Sequence, residues 1–203
     1  MQSNSKKEFR NTGLDPYILT THFKFRTNWH VITGASCSGK TTLIDLLANK
    51  GFHTNPEVGR EYIEMELSKG HTIEKIRTDR ASLTRNIYSM MKMSENELNS
   101  KEFIFLDRAL PDALTFFRLA GMDPNKILPD CFQYHYASVF LLERLPYLQD
   151  DIRAGGDESE DYFDSWMSRD YGALGYDIIK VPVLSPEERL NFVLDSLTEQ
   201  GHQ

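Results

Sequence analysis

The chain has 203 residues, 40% of them hydrophobic and 26% charged, with a formal net charge of −7. That length suffices for one domain with a substantial core, and the acidic balance argues against a nucleic-acid surface, which needs a basic stripe. Two cysteines, Cys37 and Cys131, cannot form a disulfide framework, and six scattered histidines show neither a His-Glu-x-x-His pattern nor a cysteine pair beside them, so no zinc site is expected.

In chain order, residues 1–28 read as an N-terminal extension and 29–203 as a single domain. The first twenty residues are polar and lack the apolar core of a secretory signal. Apolar, β-favouring runs follow at 29–33, 103–106, 137–142 and 176–181, with a weaker one at 52–54. None is long enough to cross a bilayer, and a cytoplasmic location is expected. Helical patterns fall between them at 39–50, 58–69, 73–98 and 111–120, with Gly121 placed to end the last of these. A final helix opens at "SPEERL", where Ser185, Pro186 and Glu188 make a capping box. Strand-helix alternation at this spacing predicts a mostly parallel sheet of about five strands wrapped by helices. Ligands of such sheets bind at the carboxyl ends of the strands.

The stretch "GASCSGKT", Gly34 to Thr41, matches G-x-x-x-x-G-K-[ST], the Walker A or P-loop pattern, without a gap. Glycines and small side chains let backbone N–H groups close on phosphate oxygens, and the helix behind adds its positive end. The expected nucleotide contacts are Gly34, Ser36, Cys37, Ser38, Gly39, Lys40, Thr41 and Thr42. Lys40 would reach the β- and γ-phosphates, and the Thr41 hydroxyl would hold Mg²⁺.

Two further constellations follow. "FIFLDR" is an apolar strand ending in Asp107, where an acid commonly holds Mg²⁺. The next residue is Arg108, where many water-activating ATPases place a glutamate. A guanidinium accepts no proton but binds anions, which favours transfer to a bound acceptor over hydrolysis. In "NPEVGREYIEMEL", Glu57 is placed to take a proton from an acceptor hydroxyl, and Arg60 follows at helical spacing to share its face. "DPNKILPD" lacks the aspartate of a guanine-reading motif. The aromatic cluster "FQYHY" reads as a packed edge or a pocket wall, and Arg77, Arg80 and Arg85 as solvated helix positions or acceptor contacts.

These elements, together with "LLERLPYLQDDIR" and "YDIIKVPVLSPEERLNFVL", resemble the P-loop nucleotide-kinase-like group. Within it the chain is most similar to AAA-type ATP-binding proteins related to the NadR-type nicotinamide riboside kinase domain, and more distantly to thymidylate and deoxynucleoside kinases. The resemblance implies a three-layer α/β/α fold, Mg-ATP or Mg-GTP as nucleotide, and a helical lid carrying Arg144 and Arg153 as transition-state cations, with Pro182 near the base. Residues 149–164, "QDDIRAGGDESEDYFD", depart from it, being strongly acidic where a phosphate-gripping lid should be basic; Gly155 and Gly156 offer a hinge. Two functions are therefore expected. The first is a kinase of a small nucleoside-, nucleotide- or nicotinamide-riboside-like acceptor, with Lys40, Glu57, Asp107, Arg144 and Arg153 catalytic and Glu57, Arg60 and Arg108 binding the acceptor. The alternative is a nucleotide-binding regulatory module acting through a protein or lipid partner.

Overall fold

The computed structural model describes residues 12–144 and 157–199. Its centre is a sheet of five parallel strands: β2 (Trp29–Thr33), β3 (His53–Asn55), β4 (Ile104–Asp107), β6 (Ser138–Leu142) and β7 (Ile178–Val181), in the order β3-β4-β2-β6-β7. A pair of two-residue strands, β1 (Phe25–Arg26) and β5 (Tyr134–His135), lies beside it. The helices are α1 (Lys40–Asn49), α2 (Val58–Ser68), α3 (Ile73–Thr78), α4 (Arg80–Glu97), α5 (Asp112–Leu119), α6 (Asp157–Ala173) and α7 (Pro186–Glu199).

The three inner strands are buried along their whole length. A strand covered on both faces reads as a continuous apolar run, which is why these segments showed no polar alternation. Successive side chains divide between two cores. Ile32, Phe105, Phe140 and Val181 meet Leu43 and Leu47 of α1 and Leu190 and Val193 of α7. Val31, Ile104, Leu106 and Val139 point the other way, onto Leu114 and Phe117 of α5 and Tyr171 of α6. The result is the three-layer α/β/α arrangement that the resemblance implied.

Element boundaries agree with the sequence to within a residue or two, and the capping box at α7 is present in both directions: Glu188 Oε2 accepts from Ser185 N at 2.9 Å and Ser185 Oγ from Glu188 N at 3.4 Å. One helix is corrected. The pattern at 73–98 is broken at Asp79, whose backbone leaves the helical region and whose carboxylate accepts from Ser82 N at 2.9 Å. An aspartate here is worth more as the N-cap of α4 than as an interior residue. β1 and β5 were outside the predicted set, because two-residue strands carry no periodicity. The "FQYHY" segment is a packed edge: Phe132 and Tyr136 are buried in the core, and His135 stacks on Tyr176 at 5.2 Å.

Candidate active site

The loop between β2 and α1 is shaped by its small residues. Gly34 has φ of 140°, and a Cβ there would stand 2.8 Å from Leu142 O and 3.1 Å from Ser38 Oγ. Cys37 and Gly39 also take positive φ, at 59° and 89°. Gly39 is the N-cap of α1 and offers no side-chain cap, so the first N–H groups of the helix remain available. Inside the loop the Lys40 side chain is buried, its Nζ donating to Gly34 O at 3.0 Å and Ala35 O at 2.7 Å. Burial, then the nearby Arg108 charge, lowers its pKa to about 8. Among the described residues Ser38 Oγ is buried with no hydrogen-bond partner.

Strand register carries a carboxylate to this loop. Ile32, two residues before Gly34, pairs with Asp107 at the end of β4. Asp107 is buried, its Oδ1 has no hydrogen-bond partner among the described residues, and burial followed by the Glu57 charge raises its pKa to about 6. Arg108 then turns sharply, with φ of 71° and its N–H donating to Ile32 O at 3.0 Å. The turn drives its guanidinium into the protein. Nε donates to Glu57 Oε1 at 3.2 Å, Nη1 to Asp112 Oδ1 at 3.3 Å, and the ring of Phe116 lies 5.3 Å beneath. Asp112 is itself fully buried and accepts from Thr33 Oγ1, Ala109 N and the Tyr171 hydroxyl.

Lys40, Glu57, Asp107 and Arg108, singled out separately in sequence, thus stand together. Glu57, Arg60, Asp107 and Arg108 line one cavity of about 690 Å³ that runs between α2, α4 and α5 and reaches Phe163 of α6. Thr41 and Thr42 occupy the first turn of α1, and the exposed Ser36 and Cys37 form the loop crest. The Arg144 Nε lies 3.6 Å from Asp164 Oδ2 of α6. Arg153, Gly155 and Gly156 lie outside the described residues.

Three residues that sequence reasoning passed over complete the site. Asp112 follows Arg108 at i+4 on the first turn of a helix, a spacing that signals an ion pair. Asp164 accepts from Ala35 N at 2.8 Å, tying α6 to the loop; nothing local marks it among its acidic neighbours. Arg189 is buried and joins distant segments, donating from Nε to Pro182 O at 3.0 Å, from Nη2 to Glu143 O at 2.7 Å and from Nη1 to Ser38 O. It thereby holds Pro182 against the loop.

The donor set fits a polyphosphate with a divalent cation. The cradle leaves no room for a Cβ at Gly34, α1 begins without a side-chain cap, and Ser38 Oγ and Asp107 Oδ1 are buried with no partner among the described residues. Among the described residues no group of three or more His, Cys, Asp or Glu side chains could hold a metal. A cation here would rest on one or two side chains plus phosphate oxygens, which is how Mg²⁺ is usually carried.

The model of a family described as an AAA domain matches residues 29–189. No curated protein matches the chain in sequence. Solved structures match in fold. A NadR protein in complex with NR superposes with a TM-score of 0.62 at 15% identity, over 85% of this chain and 50% of that one, so the chain spans about half the NadR length. A deoxyadenosine kinase from M. mycoides gives a TM-score of 0.58 at 14% identity, over 84% and 98%. A shikimate kinase from Aquifex aeolicus vf5 gives 0.52 at 19% identity, over 85% and 98%. At such identities the likeness speaks for the fold, that of P-loop nucleotide kinases.

Proposed function

The chain belongs to the AAA domain family, and from that premise we propose that it transfers the γ-phosphoryl group of ATP, or of GTP, to the hydroxyl of a small molecule. One observation carries the reading. The cavity of about 690 Å³ has Glu57, Asp107 and Arg108 in its wall, and the pairing of Ile32 with Asp107 sets that wall beside the strand that leads into the glycine loop. Hydrolysis needs room for one water beside the phosphate; a cavity of this size serves a bound acceptor.

In this reading the loop N–H groups, Lys40 and the orphaned Ser38 hydroxyl hold the nucleotide phosphates, with Thr42 at the helix start and Pro182 beside the base. Thr41 and Asp107 would hold Mg²⁺, which would supply positive charge to the transferring phosphate. Glu57 accepts the proton of the acceptor hydroxyl. The acceptor oxygen bonds to phosphorus as the bridging O–P bond breaks, its electron pair leaving with the nucleoside diphosphate. Arg108, held between Glu57 and Asp112, keeps Glu57 aimed; Arg60 stands at the exposed rim of the acceptor cavity. Arg144 and Arg153 are assigned to the transferring group, Arg144 once released from Asp164.

The acceptors named from sequence, nucleoside-, nucleotide- and nicotinamide-riboside-like, share the hydroxyl this chemistry needs and form the first panel. ADP release from Mg-ATP by wild type and Lys40→Ala is the test. Stimulation by an added compound that disappears with Lys40 supports a kinase. One contact favours a second reading, a nucleotide-governed regulatory module: the Asp164–Ala35 bond links α6 to the loop, so that a bound nucleotide has a route to move that helix and whatever partner it meets. Tight nucleotide binding with turnover indifferent to every compound would replace the kinase with that module.

A further inference from the structure

Resting on the kinase reading, we propose that the acceptor is an uncharged alcohol with an apolar body, an aliphatic or aryl-alkyl chain ending in a hydroxyl, and that nucleosides and nucleotides are poor acceptors. The carrying observation is that Asn55, Tyr88, Glu95 and Arg108 of the cavity wall already have partners within the protein, and that apolar side chains make up the wall between them. Asn55 exchanges hydrogen bonds with Ser94 Oγ at 3.1 and 3.3 Å. The Tyr88 hydroxyl donates to Asp130. Buried Glu95 accepts from Leu110 N at 2.8 Å through Oε1 and from the Tyr136 hydroxyl at 2.9 Å through Oε2. Arg108 is engaged by Glu57 and Asp112. The wall between these groups is Leu67, Leu83, Ile87, Met91, Leu119 and Phe163.

A nucleobase brings several edge donors and acceptors that must find partners once out of water, and leaving them unpaired is costly. Here Thr84 adds a single hydroxyl, while Arg60, Glu64 and Arg80 stand exposed in the rim. An apolar chain needs no such partners and gains from every methylene it buries.

Charge at the reacting end also disfavours an anionic acceptor. The carboxylates of Glu57, Asp107 and Asp112 face the cations Lys40 and Arg108, and both guanidinium contacts are carboxylates. A nucleoside monophosphate at this end would meet the carboxylates of Glu57, Asp107 and Asp112, with Arg108 already paired to two of them and Lys40 given over to the nucleotide phosphates in the kinase reading. A hydroxyl does fit, donating to a carboxylate at the end where Glu57 and Asp107 line the cavity.

The test uses the full chain and two independent readouts. First, binding of hexan-1-ol, octan-1-ol, decan-1-ol and 3-phenylpropan-1-ol is compared calorimetrically with adenosine, thymidine and nicotinamide riboside, without nucleotide. We expect affinity to rise about threefold to fourfold per added methylene until the cavity fills, and Ile87→Asn to weaken the alkanols at least tenfold with an unchanged melting temperature. Should that variant unfold, Leu83→Asn and Leu119→Asn probe the same wall. Second, ³¹P NMR with Mg-ATP reports the new phosphate monoester. Nucleosides binding in preference, or alkanols binding without chain-length dependence, overturns the proposal whether or not phosphoryl transfer occurs. Chain-length-dependent binding with no ester formed leaves the cavity's ligand class standing and overturns the kinase reading instead.

Discussion

Lys40 is buried and, among the described residues, bonded only to the carbonyls of its own loop, Gly34 O and Ala35 O. Such a group is held ready for anionic oxygens, and its removal leaves the transferring phosphoryl charge unanswered. Lys40→Ala should lower the acceptor-stimulated rate by roughly 10²- to 10³-fold, as loss of other preorganised electrostatic groups does, which a steady-state ADP assay measures. Glu57→Gln keeps the shape and removes the base; a fall in rate of roughly 10²- to 10⁴-fold with nucleotide affinity preserved is expected. Glu95 makes a different prediction. Burial raises its pKa from the ordinary 4.5 to about 7, against the donors Leu110 N and Tyr136. Between those values the unfolded chain ionises while the folded one keeps its proton. Stability from this group is therefore full below pH 4.5, falls as pH rises towards about 7, and is level above it. The melting temperature of Glu95→Gln relative to wild type should climb across that window; a difference that stays flat with pH would show Glu95 ionised throughout. Lys40, Glu57, Asp107 and Arg108 were legible in sequence because each sits at a fixed offset from a strand or glycine end. Asp164 and Glu95 were not, since their partners are 129 and 15 residues away and no local pattern announces them.

At the scale of elements, the phosphate loop is held by what surrounds it. Arg189 of α7 spans Ser38 O, Pro182 O and Glu143 O, connecting the loop, the segment after β7 and the end of β6. Its planar fork serves three carbonyls in fixed directions, which a lysine cannot reproduce. Arg189→Lys should destabilise the fold by about 2 kcal/mol and Arg189→Ala by more, from buried carbonyls left without donors; urea unfolding gives both values, and nucleotide affinity should fall with them. Gly34→Ala places a methyl carbon 2.8 Å from Leu142 O at a φ of 140°. The loop must then shift away from β6, so the variant is expected to stay folded and lose nucleotide binding. The five strands of the central sheet and α1, α2, α5 and α7 were readable because apolar periodicity and caps are local properties of the chain. The interruption at Asp79 was harder: helical spacing of apolar residues continues across it, and only the choice of Asp79 as a cap divides the segment.

Over the whole molecule, the residues before the sheet take part in its core. Leu14 is buried in the cluster with Trp29 and Leu114, and Ile18, Leu19 and Phe23 pack against it. β1 adds a parallel pairing with β5, and Arg118 of α5 donates to Thr12 O at 2.8 Å. Residues 1–28 had been read as an extension to a domain of 29–203. We predict that deleting them lowers the melting temperature by roughly 10 °C, from the burial of a few large apolar side chains lost; an unchanged melting curve would make 29–203 self-sufficient. The sequence by itself determined the layered parallel architecture and the phosphate loop, since both are written in short-range patterns: two-sided apolar strands, glycine spacing and helix caps. Tertiary structure alone decided which polar groups neutralise one another. Arg108 meets Glu57, Asp164 meets Ala35 N, and Glu95 meets Tyr136, because β-strand register and helix packing bring remote positions together after the chain has folded. The chemistry of the acceptor cavity follows from that pairing, for a side chain's capacity to bind a ligand is what remains once its partners within the protein are satisfied.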